Sequence, residues 1–200
     1  MTSALDVSRR KFLAGSAAAA TGLSLGFHIR FAGQAAAQGA PAPEVNAWVV
    51  IRPDDTIVVR IARSEMGQGT LTGLAQLVVE ELEGDWSKVT TESITAGQNL
   101  ARKRVWGDMA TGGSRGIRGS HDYVRRGGAA ARMMLMQAAA DEWKVPVGEL
   151  TVAKGVVSHA ASGRSASYGK LAEAAARLTA PDPKDIKLRT RRIGRSPASR

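Results

Sequence analysis

The run Thr56-Ile-Val-Val-Arg-Ile-Ala62, then Glu65-Met-Gly-Gln-Gly69, then Thr70-Leu-Thr-Gly-Leu-Ala-Gln-Leu-Val-Val-Glu-Glu-Leu-Glu83 before Gly84, decides the fold. Its first part is β-branched and apolar, which predicts a strand. Its last part places apolar residues at 71, 74, 77, 78 and 82, one face of a helix that Gly84 ends. Between them, two glycines flank one polar residue. Their N–H groups can face a shared space, with the positive end of the helix dipole behind them. That arrangement suits a phosphate or another anionic, polar cofactor edge. Gln68 adds an amide that donates and accepts in one plane. On these residues alone an ordinary glycine-rich turn is the alternative.

Upstream, Val45–Ile51 reads as a strand, and Pro53-Asp54-Asp55 is turn chemistry, so 45–62 is a hairpin. Downstream, Val89–Thr95 is a strand, Gln98–Ile117 is glycine-rich and irregular, and a long helix runs from about Gly119 to Trp143. Gly127-Gly128 interrupts that helix where another backbone packs closely. Val124, Met133, Met134 and Met136 are among its apolar positions, and the three methionines belong to the core rather than to an electron path. Leu150–Ala153, Val156–His159 and Ala166–Tyr168 are short strands, and Ser167 caps a helix from Tyr168 to Leu178. The fold class is α/β (α+β, a mixed sheet with helices packed on it), with the domain at 44–183.

Composition narrows the function. The net charge of +10 suggests nucleic acid until it is mapped. Residues 1–37 carry four basic groups and one acid, and 184–200 carry seven and one. The stretch 38–183 is close to neutral, with 17 basic and 16 acidic residues. A nucleic-acid footprint belongs on the folded domain, so no nucleic-acid partner is expected. With no cysteine, these 200 residues hold no disulfide framework, thiolate zinc site or cysteine-ligated iron–sulfur cluster. His121 and His159 are lone histidines, and no metal ligand is assigned. The last residues, 184–200, read as a solvated basic tail that should be disordered.

The first residues are an address. Ser8-Arg9-Arg10-Lys11-Phe12-Leu13 precedes a short segment rich in Ala, Gly and Ser, too weakly apolar to span a membrane. Paired arginines in this position have the form of a twin-arginine export signal. Ala35-Ala36-Ala37 supplies the small side chains for cleavage after Ala37, and 38–43 is a linker. The expected location is the periplasm, reached through the twin-arginine export machinery, a route that carries folded proteins commonly loaded with cofactor.

A second loop, Gly107-Asp-Met-Ala-Thr-Gly-Gly-Ser114, also opens towards a helix. Thr111 and Ser114 offer hydroxyls, and Gly112 and Gly113 permit close backbone approach. Glu-Met-Gly-Gln-Gly followed by Thr-Gly-Gly-Ser resembles the molybdopterin-binding subunits of the xanthine oxidase and aldehyde oxidoreductase family. With the twin-arginine tag, it resembles the isoquinoline 1-oxidoreductase beta type in particular. Asn46–Gln76 and Trp106–Arg177 carry the likeness. The resemblance implies that Gly67, Gln68 and Gly69 contact the molybdopterin cofactor, and that Thr111, Gly112, Gly113 and Ser114 bind its phosphate-bearing side. It implies hydroxylation of an aldehyde or N-heterocycle, with electrons leaving through a small 2Fe-2S subunit. Molybdenum does the chemistry and the protein positions it.

The same family has a further Gly-Gly-Gly-Phe-Gly loop and a late glutamate acting as general base. Neither occurs in these residues, and after Leu188 the likeness stops. The expectation is therefore a truncated product, with no catalytic residue assigned and no hydroxylation by this chain alone. Glu65 is read as a surface or helix-start carboxylate rather than a substitute base, and Met66 as an anchor of the loop. By its place between the glycines, Gln68 outranks Glu65 as the residue whose loss weakens cofactor retention. Two other readings compete. One is a dinucleotide-binding domain, with Gly67-x-Gly69-x-x-x-Gly73 and Glu92 as the ribose acid. Against it, the strand before the loop belongs to a hairpin rather than to a parallel βαβ unit. The other is a small exported binding module without cofactor.

Overall fold

A computed structural model describes residues 43–189. Two antiparallel strands, β1 (Val49–Ile51) and β2 (Ile57–Ile61), lead into helix α1 (Thr70–Leu82) and strand β3 (Val89–Ser93). A short helix α2 (Ala96–Ala101) and a long helix α3 (His121–Trp143) follow. Strands β4 (Leu150–Ala153), β5 (Val156–His159) and β6 (Arg164–Ser167) then form a meander before helix α4 (Tyr168–Ala176). Among the described residues the strands form two three-stranded sheets, β1-β2-β3 and β4-β5-β6. The first is mixed and the second antiparallel. Among the described residues no helix is long and apolar enough to cross a membrane.

The expected hairpin forms, with Val50 opposite Val58, but β1 starts later than expected. Asn46 Oδ1 accepts from the amides of Trp48 and Val49 at 2.9 and 3.0 Å, which bends 45–48 into a turn. The hairpin does not exclude a βαβ unit: β2 pairs antiparallel with β1 on one edge and parallel with β3 on the other. The strand–loop–helix run is thus a parallel crossover, and the objection to a dinucleotide domain on that ground fails. Glu92, the ribose acid of that reading, is instead paired with Arg60 Nε at 3.2 Å.

Helices α1, α3 and α4 bury their apolar faces on β1 and β2, with Val49, Ile51, Val59, Leu74, Val78, Leu135 and Leu171 fully inside. Glycines do not interrupt α3. A Cβ at Gly128 would lie 2.2 Å from the carbonyl oxygen of Val78, and one at Gly127 would meet the Trp48 ring at 2.8 Å. Gly128 lets α3 lie backbone to backbone on α1, as its sequence position implies, while Gly127 makes room for the Trp48 ring. Met134 is buried as expected, while Met133 and Met136 are only half-buried.

The left-handed residue closing α1 is Glu83 (φ 57°), not Gly84. Gly84 packs closely on side chains instead, since a Cβ there would lie 2.6 Å from Ile57 Cδ1 and 3.2 Å from Val79 Cγ1. The phenol of Tyr168 donates to the carbonyl of Leu82 at 2.6 Å, satisfying one of the orphan acceptors at the helix end. Burial, with the Glu83 charge adding to it, pushes the Tyr168 hydroxyl far above its usual value. Ser167 precedes α4 without capping it. Asp55, from the hairpin turn, accepts from the Gly169 amide at 2.8 Å instead.

The tail expected from 184 onward is anchored as far as the structure describes it. Arg126, Arg132 and Arg125 of α3 donate to the carbonyls of Pro183, Lys187 and Arg189. The Arg189 amide donates at 2.8 Å to Glu81, which is only 2% exposed. Low apolar content predicts a solvated tail, but arginine forks and a buried carboxylate hold the peptide groups of this segment. Residues 190–200, and the export signal and linker at 1–42, lie outside the described residues.

Candidate functional site

The loop before α1 is organised by its own acid. Glu65 Oε1 accepts from the amides of Gly67 (2.8 Å) and Gly69 (3.0 Å), and Oε2 from that of Leu71 (2.9 Å). The expected shared space between amides therefore exists, and Glu65 fills it. Chiefly the Leu71 amide, with those of Gly69 and Gly67, holds the Glu65 carboxyl below the usual carboxylate range. It is a helix-start carboxylate, as its position suggests, and poorly suited to accept protons at neutral pH. Gly67 and Gly69 sit at φ 90° and 77°, and a Cβ on either would meet nothing within 4 Å.

Gln68 does not aim its amide outward. Nε2 donates to the Ser64 carbonyl (2.8 Å) and Thr70 Oγ1 (2.7 Å), and Oε1 accepts from the Met66 amide (2.6 Å). Both of its donors are used, while Oε1 keeps one lone pair. Met66 does not anchor the loop, since it is 71% exposed.

The second loop meets the first. Thr111 Oγ1 accepts from the Ser64 amide at 2.9 Å. Beneath this tie lies Arg63, 7% exposed, which the sequence reading missed. Its Nη1 donates to Asp108 Oδ1 (2.8 Å) and to the carbonyl of Ala110, and its Nε to Ser120 Oγ (3.0 Å). One fork thus joins the end of β2, the second loop and the start of α3. Burial works against the Arg63 charge, but Asp108 and Tyr123 outweigh it and raise its pKa. Arg63, with the Ala110 amide, holds the exposed Asp108 carboxyl below its ordinary range.

After Thr111 the chain passes over the first turns of α1. A Cβ at Gly116 would lie 2.8 Å from Thr70 Oγ1, and one at Gly73 would lie 2.7 Å from Ile117 Cδ1. Gly112, Gly113 and Ser114 are exposed, the last two left-handed at φ 64° and 61°. Among the described residues no hydrogen bond engages the amides of Gly112, Gly113 or Ser114. All seven residues singled out in the sequence therefore lie on two loops joined at one end of α1. A groove of about 610 Å³ at the other end of α1, lined by Glu80, Trp86, Lys154 and Arg189, involves none of them. The described residues hold no group of three or more His, Asp or Glu placed for a metal ion. His159 is occupied by Glu149 (2.9 Å) and Ser162 (2.7 Å).

This chain belongs to the molybdopterin cofactor-binding domain family, which matches residues 3–193. Among its relatives is isoquinoline 1-oxidoreductase subunit beta of Brevundimonas diminuta, 36% identical over 169 residues, 82% of this chain and 22% of that one. A membrane-bound aldehyde dehydrogenase [pyrroloquinoline-quinone] of Gluconacetobacter polyoxogenes is 36% identical over 133 residues, 66% and 16% of the two chains. The chain thus spans about a fifth of the length of these curated relatives. Two solved structures are partly similar: quinoline 2-oxidoreductase from Pseudomonas putida 86 (TM-score 0.43, 18% identity, 63% of this chain and 15% of that one) and the Cu,Mo-CO dehydrogenase (0.45, 20%, with the same shares). Neither the family model nor the two curated relatives supports a dinucleotide-binding domain.

Proposed function

We propose that this chain carries the first two cofactor loops of a molybdenum hydroxylase large subunit, of the kind that oxidises aldehydes or N-heterocycles. The observation that carries the reading is the Ser64–Thr111 hydrogen bond, which sets both loops at one end of α1. The residues present fit the cofactor. Amides at Gly112, Gly113 and Ser114 that no described residue engages, with the Ser114 hydroxyl, form a donor set for a phosphate. The Thr111 hydroxyl, in a long 3.5 Å contact with the Met109 carbonyl, can turn to join it. Gly67 and Gly69 let the pterin approach the backbone closely, and Gln68 offers the free lone pair of Oε1. Molybdopterin, when bound, supplies the oxidation that places water-derived oxygen on the substrate carbon. The chain's part is to hold and orient it. Among the described residues we assign no catalytic residue.

In this reading electrons leave through a small 2Fe-2S subunit, as the resemblance implies, and the absence of cysteine from these 200 residues agrees with it. Residues 1–37 direct twin-arginine export to the periplasm. Replacing Arg9 and Arg10 by lysine is expected to leave the product in the cytoplasm, as fractionation and immunoblotting would show. Unchanged export would refute the address.

The cofactor reading is tested by exchanging residues 43–189 into the matching segment of the Brevundimonas subunit. The exchanged subunit should retain molybdenum and pterin, and Thr111→Val, which removes the Ser64 tie and one hydroxyl, should lower both about tenfold, the scale of losing one hydrogen bond to a charged group. An exchanged subunit without cofactor, or equal content in the variant, would remove these loops from the site.

A further inference from the structure

We propose that Glu65 is the positioning residue of the first loop, fixing its three amides and Gln68 in place before any cofactor arrives. The cofactor half of this inference rests on the function proposed above. The loop has every reason to be loose. Two left-handed glycines in five residues lose much backbone freedom on ordering. Gly69, in the N-cap position before α1, has no side chain to cap the helix, and the first turn contains no acid. Glu65 supplies both missing parts from four residues ahead. Oε1 gathers the Gly67 and Gly69 amides, and Oε2 takes the Leu71 amide inside the helix. Its negative charge also lies at the positive end of the helix dipole.

Gln68 is thereby held on both flanks. The residue before it and the residue after it donate to one carboxylate oxygen. Its own amide then closes onto Ser64, Met66 and Thr70. Loss of Glu65 releases three amides and both flanks, whereas loss of the Gln68 side chain leaves the Glu65 clamp intact. The order expected from sequence is reversed: Glu65→Ala should cost more cofactor than Gln68→Ala.

The charged groups on the adjoining segments are Arg63, Asp108 and Arg115, which form their own ion-pair chain. Asp108 also accepts from the Ala110 amide at 2.8 Å, which provides an internal control. In ¹⁵N-labelled full-length chain, the amides of Gly67, Gly69 and Leu71 should titrate together as pH falls, with one midpoint below the ordinary glutamate value. Glu65→Gln should abolish that titration and leave the Ala110 titration in place. Glu65→Ala should speed hydrogen exchange at the three amides about tenfold or more, with Val78 and Val79 deep in α1 unchanged.

Separate midpoints, titration persisting in Glu65→Gln, or unchanged exchange would overturn the proposal. In the exchanged subunit, Glu65→Ala should reduce molybdopterin content further than Gln68→Ala. Higher content in Glu65→Ala would make Glu65 a competitor for the site and also overturn it. An exchanged subunit that never holds cofactor refutes the function proposed above, and the amide titration then decides on Glu65 alone.

Discussion

Gly128→Ala is expected to destabilise the domain by about 2 kcal/mol or more. Two effects oppose each other. Alanine gains about 1 kcal/mol over glycine in a helix interior, and this alone predicts a more stable protein. Against it, the new methyl would lie 2.2 Å from the Val78 oxygen and 3.0 Å from its carbonyl carbon. Both are backbone atoms, so no side chain can rotate away and the whole α1–α3 contact must open. Overpacking of this kind costs about 1–3 kcal/mol and sometimes more, and a contact between two main chains belongs at the upper end. Urea unfolding measures it, with Gly148→Ala as the control, because a Cβ at Gly148 meets nothing. A Gly128→Ala protein as stable as the parent would mean that the helices are farther apart than described.

Arg125→Met has a comparable or larger expected effect, about 3 kcal/mol. Glu81 is buried on the inner side of α1, and Arg125 Nε and Nη2 both donate to its Oε1. Methionine keeps much of the stem's apolar packing but removes the countercharge, leaving a buried carboxylate with the Arg189 amide as its remaining partner. Removing one member of a buried pair is far more damaging than removing both. Arg125→Met with Glu81→Leu should therefore recover most of the loss, and denaturation of the two singles and the double closes the cycle. If the double falls by the sum of the singles, the pair is not coupled as described.

Much of the frame could be read from residues 56–84, because the change from β-branched run to glycine loop to helical face is local. The long helix and its close approach at Gly127-Gly128 were legible for the same reason. Strand partners were not. Nothing within β2 or β3 says that β2 will pair in both senses, since that choice is made by α1 folding back over the sheet. Helix α2 was hidden by glycine content, although Thr95 and Gln98 carry a capping box that names its start. At the candidate site, the seven loop residues were marked by glycine and hydroxyl chemistry. The groups that organise them were not. Arg63 looks like any cation at a strand end, and its burial follows from where Asp108 and Ser120 arrive, residues distant in sequence. Glu65 was recognised as a helix-start acid, but its hold on three amides depends on a loop conformation that pattern alone does not specify.

The segment laid across α1 and α3 is recognised mainly by its peptide groups. Three arginines find the carbonyls of Pro183, Lys187 and Arg189, and Glu81 finds an N–H. Peptide groups are common to nearly all residues, so the composition of this stretch can drift widely across generations while its course stays the same. Basic, helix-poor residues can therefore occupy a structured place without any core of their own. The exception is position 189, where the amide answers a buried carboxylate and the side chain reaches Glu80 and Glu83. Proline there would erase the N–H that Glu81 uses.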